Sequence, residues 1–335
     1  MMKKIIALLL LSLPFLASGQ NECANSLDQA GKLYHSGKLN DAIRVLEPCY
    51  EKIDGKREKF EALRLLSLMN YELDNRQDAE KYAILMFRIR PYYFNYPNND
   101  PAAFHKFISE FKIRPRIQVG LTTGVLLNQP ILLQNYMATK GTNTYKSSAG
   151  ILLAGNFIYS MDKLSFSGNV GILGTSLAQI IKEESGTRKN YKESLRMLQF
   201  SVGAKWKLPS FLGQDFHIGT QAGISQIISA QATLETRNSN LTTVVQDSKN
   251  ALNEKNKTQF FLEPNFYWNH MLKNRHIMRV GVSYQYYFQN LVNPASRLIN
   301  QQFVFANEYM NDDVRLGIWK LSFSYIVPLD YHISH

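Results

Sequence analysis

Seven histidines and two cysteines carry most of this chain's capacity for acid–base, nucleophilic or metal chemistry. The histidines are His35, His105, His217, His270, His276, His332 and His335. A hydrolase or acyltransferase site needs a nucleophile, a base and an orienting group on one rim of a scaffold. His217, His270 and His276 stand near short turns, and no long polar connection holds a histidine. The Cys and His residues lack metal-ligand spacing, and no glycine-rich phosphate cradle is present. Asp312-Asp313 reads as a solvated acidic pair. The expectation is a non-enzymatic protein with neither cofactor nor metal; a site beside the short turns, through His217 and His270, is the remaining catalytic alternative.

The elements that would position these groups begin with an export signal. Lys3-Lys4 precedes an apolar run, Ile5 to Leu16, followed by Ala17-Ser18-Gly19. A positive start, a short apolar stretch and small exit residues mark a secretory signal peptide over 1–19. The run is too short to span a bilayer as a helix. Export also argues against nucleic acid as the partner behind the net charge of +11. Most of that excess falls after residue 115, scattered rather than in a stripe.

Residues 20–113 read as helical hairpins. Ala30, Tyr34, Gly37, Leu39, Ala42, Ile43 and Leu46 set a pattern that returns as Leu63, Leu66, Tyr71, Ala79 and Ala83. Ala42 and Ala79 stand 37 residues apart. The segment resembles two tetratricopeptide repeats, with Ser67 and Asp74 departing from the preferred small residue and Gly. A last helix is expected over Asp100 to Phe111, with Asp100 as N-cap and Pro101 at the first helical position. The repeat alignment brings Cys23 and Cys49 to meeting helix ends. A disulfide suits an exported protein; two buried free thiols are the alternative. Tyr34, Arg64, Tyr71 and Tyr82 are candidates for a partner-binding face, or for packing.

From residue 114 the periodicity changes to two. Leu198, Phe200, Val202, Ala204 and Trp206 alternate with Gln199, Ser201, Gly203, Lys205 and Lys207. Eight strands are expected: 116–127, 150–161, 164–181, 191–208, 215–234, 258–272, 277–292 and 314–329. Short links alternate with the long polar segments 128–149, 182–190, 235–257 and 293–313. That alternation is the pattern of a transmembrane β-barrel; a secreted soluble β-domain would share the strand pattern alone. Trp206, Trp268, Tyr284, Tyr286, Trp319 and Tyr325 could supply interfacial girdles. Eight strands leave a lumen that side chains can fill. Lys205, Lys207, Glu263, Arg279 and Lys320 are the expected charged network there, with Glu263 facing Arg279 or Lys320. A narrow pore is the alternative.

The chain resembles the outer-membrane β-barrel proteins of the Bacteroidota that carry a periplasmic tetratricopeptide-like domain. The resemblance rests on Ala17-Ser18-Gly19-Gln20, the repeat segment with Cys49 and Pro91, the Asp100-Pro101 helix, and the segment Ser322–Leu329. The last residue, His335, departs from the aromatic ending many barrels share. The resemblance implies an α + β multidomain chain: tetratricopeptide-like hairpins, then an eight-stranded antiparallel barrel over 114–335. It implies an outer-membrane location, contact with outer-membrane lipid, and a periplasmic helical domain. The favoured function is an anchor for an envelope protein partner in a secretion, assembly or uptake complex. A small porin or transporter, and a barrel enzyme acting on lipid, are the alternatives.

Overall fold

The computed structural model describes residues 23, 25–91, 93, 100–135, 141–184, 186–209, 214–237, 244–272, 275–295 and 312–335. The expected signal segment 1–19 and most of the expected connection 293–313 lie outside the described residues. The chain forms two compact units, Met1–Arg114 with Tyr331–His335, and Pro115–Asp330.

The first unit is built from helices α1 (Ser26–His35), α2 (Leu39–Leu46), α3 (Lys56–Glu72), α4 (Arg76–Ile89) and α5 (Ala102–Ser109). α1 with α2, and α3 with α4, make two hairpins whose turns repeat one backbone solution. Gly37 sits at φ +76° and Asp74 at φ +58°, 37 residues later. The left-handed region is free to Gly and tolerated by Asp, which explains how Asp74 stands where the repeat pattern prefers Gly. The close helix contacts also repeat: Ala30 and Ser67, and Ala42 and Ala79, are all fully buried. The Ser67 hydroxyl donates to the Ala79 carbonyl at 2.9 Å, satisfying the polar atom that replaces a methyl. Phe104, Phe107 and Ile108 bury the apolar stripe of α5 against this core.

Two expectations change here. α5 starts at Ala102, with Pro101 at the N-cap position and no side-chain cap bond. Asp100 does not cap; its carboxylate pairs with Arg64 instead, and charge neutralisation competes successfully with capping for a carboxylate in a buried setting. Residues Tyr331–His335 join this unit, with His335 Nε2 at 3.0 Å from the Glu110 carboxylate and Ile333 against the helical core.

Cys23 and Cys49 are joined in a disulfide. The bond closes a separation of 26 residues, which in the chain-entropy model stabilises by about 3 kcal/mol. Reduction of the purified chain should therefore lower the thermal midpoint of the helical unit, read by far-ultraviolet circular dichroism. An unchanged midpoint would show that the bond constrains nothing.

The second unit is a ring of eight antiparallel strands. β1 (Lys112–Gln134), β3 (Ser148–Ser160), β4 (Leu164–Glu183), β5 (Arg188–Lys207), β6 (Asp215–Arg237), β8 (Thr258–Met271), β9 (Ile277–Tyr287) and β10 (Asp313–Ser334) follow one another, and β10 returns to β1. Two further strands lengthen the wall at one end. β2 (Gly141–Lys146) pairs with β4 beyond β3, and β7 (Val244–Asn250) pairs with β6 beyond β8. The expected connection 182–190 is mostly strand: β4 runs to Glu183, β5 starts at Arg188, and Thr187 O accepts from Glu183 N at 2.9 Å. Polarity points to a loop there because both faces are polar: Lys182 and Arg188 stand outward, while Glu183 and Lys189 pair on the inner face.

Candidate functional site

The wall has an outside and an inside of opposite character, and one irregularity aligns them. Along β5 the outward residues are Trp206, Ala204, Val202, Phe200 and Leu198, then Arg196, Ser194, Lys192, Asn190 and Arg188. The first five are apolar and the second five polar. On β6 the register slips where Arg196 meets Ser229 and Met197 meets Ile227, leaving Ile228 as the extra residue. A bulge of this kind moves every later side chain of its strand to the other face. Beyond it Ala230, Ala232 and Leu234 turn inward and are buried. Phe157, Val170, Ile218, Phe266, Val282, Leu321 and Phe323 continue the outward apolar belt on the other strands. Trp206, Trp268, Trp319 and Tyr325 belong to the same outward face.

Inside, the end of the barrel next to the short turns is polar. Lys320 Nζ donates to Glu263 Oε2 at 2.7 Å, and Ser283 donates to Oε1 at 2.7 Å. Glu263 therefore takes Lys320, one of the two partners the sequence offered. Arg279 instead donates to Asn269 at 2.8 Å. Its guanidinium and the Lys205 ammonium both lie over the ring of Tyr267, 5.1 and 4.5 Å from its centre. Gln221 donates to the Tyr267 hydroxyl at 3.0 Å and accepts from Asn169 at 2.8 Å. Lys207 is not in the network. It lies at the rim, over a third exposed, and pairs with Asp215 at 2.8 Å, because the strand leaves the wall within two residues. Tyr267, Ser283 and Asn269 join the network without having been singled out from the sequence; for Tyr267 the strict alternation with Phe266 and Trp268 was the available signal. The space left between these groups is about 50 Å³, room for a few waters.

The other half of the interior is apolar, which the expectation of a wholly polar lumen did not include. Leu195, Met197, Ile227, Phe261, Tyr287, Leu316 and Ile318 form one cluster, each at most 2% exposed. Ala251, Leu291 and Val292 close onto it from the connections. Above the cluster Lys255 Nζ donates to Glu193 at 2.9 Å, as does the Tyr191 hydroxyl at 2.9 Å. Both charged side chains are 1% exposed. Asp312 accepts from Asn143, Tyr145 and Gln179 at 2.8 to 2.9 Å, tying β2 and β4 together. It is a buried structural carboxylate rather than part of a solvated pair.

On the helical unit, Tyr34 and Tyr71 are half-buried. Burial and a 2.9 Å hydrogen bond to Glu72 push the Tyr34 hydroxyl up to about 12. Tyr71 stacks on Phe107 with ring centres 4.8 Å apart. Arg64 bridges Glu61 and Asp100. Burial raises the Asp100 carboxyl, against the opposing pull of Arg64. Tyr82 is a core residue at 1% exposure, its hydroxyl donating to Glu47 at 2.5 Å; it cannot present its ring to a partner. The histidines do not converge: His276 meets Tyr325 and His335 meets Glu110. Among the described residues no cluster of His, Cys, Asp and Glu could hold a metal ion.

The fold is an antiparallel β-barrel with a filled interior, joined in one chain to an α-helical unit. No protein-family model matches the chain, and no curated protein matches it. Solved outer-membrane proteins align with it over the barrel. Neisserial surface protein A is 10% identical, covering 65% of this chain and 99% of that one at a TM-score of 0.34. The outer membrane protein OprG from Pseudomonas aeruginosa is 10% identical, covering 64% and 98% at 0.37. The outer membrane protease OmpT from Escherichia coli is 8% identical, covering 64% and 97% at 0.30. Likeness at this level assigns neither a family nor an activity.

Proposed function

We propose that this chain is a non-enzymatic outer-membrane barrel that anchors a periplasmic, tetratricopeptide-like helical unit, and that this unit docks a protein partner of an envelope complex. The outward belt carries the membrane part of the reading. Five apolar outward residues on a tilted strand span roughly 25 Å, the height of the apolar band of outer-membrane barrels. A soluble barrel of the same size would leave that area of Phe, Leu, Val and Trp in water. The 37-residue recurrence of helix contacts and the disulfide support a repeat-type unit in an oxidising compartment. Tyr34, Tyr71 and Arg64 remain the candidate partner face, Tyr82 having left it.

The test has two parts. The full-length protein should fractionate with the outer membrane and migrate differently on gels when unheated. Recovery from the soluble periplasm would overturn the membrane reading. Deleting residues 22–112 behind the intact signal segment should leave an inserted barrel that no longer co-purifies with the partners of the full-length chain. Retention of those partners by the truncated barrel would overturn the docking role.

A further inference from the structure

We infer that the outward face of β2, β4, β5 and β6, beyond the apolar belt, binds phosphate-bearing lipid headgroups of the surrounding leaflet. The inference rests on the membrane reading above. Its observation is a segregation of charge across the wall. Lys146, Lys182, Arg188, Lys192, Arg196 and Arg237 are all exposed. Register places them on one face: Ala178 pairs with both Lys146 and Lys192, Gly174 with Arg196, and Lys182 with Arg188, which in turn pairs with Arg237.

Two of the three carboxylates on this part of β4, β5 and β6 point the other way. Glu193 and Glu183 are turned inward, where Lys255 and Lys189 neutralise them. On the outer face Glu235 pairs with Arg237, and Glu184 stands exposed just past the end of β4. Two acidic groups therefore face six cations.

The row Lys182–Arg188–Arg237 sets like charges directly opposite on neighbouring strands, about 5 Å apart at the backbone, an arrangement that destabilises a sheet unless an anion intervenes. The column begins at the belt. Arg196 is the first outward residue after Leu198, and Lys192 lies two outward positions further, past Ser194. At about 3.3 Å per residue these two reach the depth of a headgroup layer, and the Lys182 row reaches beyond it. Cations immediately above an apolar wall attract anionic lipid more than a free anion, because the acyl chains are held beside them.

The full-length chain can be tested in nanodiscs of phosphatidylcholine containing a minor fraction of diphosphorylated lipid A. Native mass spectrometry then reads the lipid retained by the ejected protein. The wild type should retain lipid A in clear excess over its fraction, and K192Q/R196Q should lower that retention about tenfold. K182Q/R188Q/R237Q should lower it further in combination, and 0.5 M salt should weaken it in the wild type through screening. Equal retention by wild type and variants overturns the inference. Displacement by millimolar inorganic phosphate also overturns it, in favour of a free-anion site. Heat-modifiable migration of every variant in phosphatidylcholine alone reports insertion separately. If the wild type fails to insert, the membrane reading itself fails; if it inserts without preference, only this inference does.

Discussion

Glu263→Gln should cost the barrel about 3–5 kcal/mol, the usual penalty for removing one partner of a buried ion pair. Urea unfolding in detergent micelles measures it. Glu263 is the acidic member of a network with three cations, Lys205, Arg279 and Lys320. Its two oxygens are committed to Lys320 and Ser283 at 2.7 Å each. The glutamine keeps the shape and loses the charge, so the loss reports electrostatics rather than a cavity. Lys205 and Arg279 have the Tyr267 ring as a neighbour, and a ring quadrupole compensates a cation only in part. Lys320→Met should cost less, since Glu263 keeps Ser283 and the neighbouring cations. The double variant should be less destabilised than the two single effects added together, as expected of groups in one network. Strict additivity would show that Glu263 and Lys320 do not act as a pair.

Much of this architecture could be read from the residues because two periodicities carry it. The 3.6-residue pattern through Ala30, Ala42 and Ala79 placed the hairpins, and the meeting helix ends placed Cys23 beside Cys49. The period-two pattern through Leu198 to Trp206 gave both faces of β5 correctly. What was not legible depends on long-range register. The pattern assigns polar residues to loops, so β2, β7 and the far ends of β4 and β5 were invisible: the inward residues of those ends, Glu183 and Lys189, are themselves charged and answer to each other across the strand pair. The Ile228 bulge reverses the faces of β6, and no local composition marks it. Asp100 shows the same limit on a smaller scale. Its position before Pro101 fits a cap, yet Arg64, 36 residues earlier, takes its carboxylate.

The full-length chain reconstituted into planar bilayers should give no single-channel steps, and Lys255→Met should unfold more easily without creating them. The two expectations separate two structures at the same end of the barrel. The seal is apolar: Leu195, Met197, Ile227, Phe261, Tyr287, Leu316 and Ile318 fill the cross-section with almost no exposure. An ion crossing it would shed its water shell among hydrocarbon side chains, at a cost far above thermal energy. The strut is ionic. Lys255 follows the short turn Leu252–Glu254, bridges to Val292 through the backbone, and places its ammonium on Glu193 of β5. Methionine at 255 retains the side-chain length but takes the ammonium away from Glu193, which keeps the hydrogen bond from the Tyr191 hydroxyl. That should cost about 3–5 kcal/mol and expose residues 251–257 to protease, while the seven-residue seal stays packed. Steps in the wild type would sink the closed-lumen reading and favour a pore. Steps in Lys255→Met alone would make the Lys255–Glu193 pair a gate instead of a strut, because opening would then require only the loss of one charge pair and no repacking of Phe261 and Tyr287.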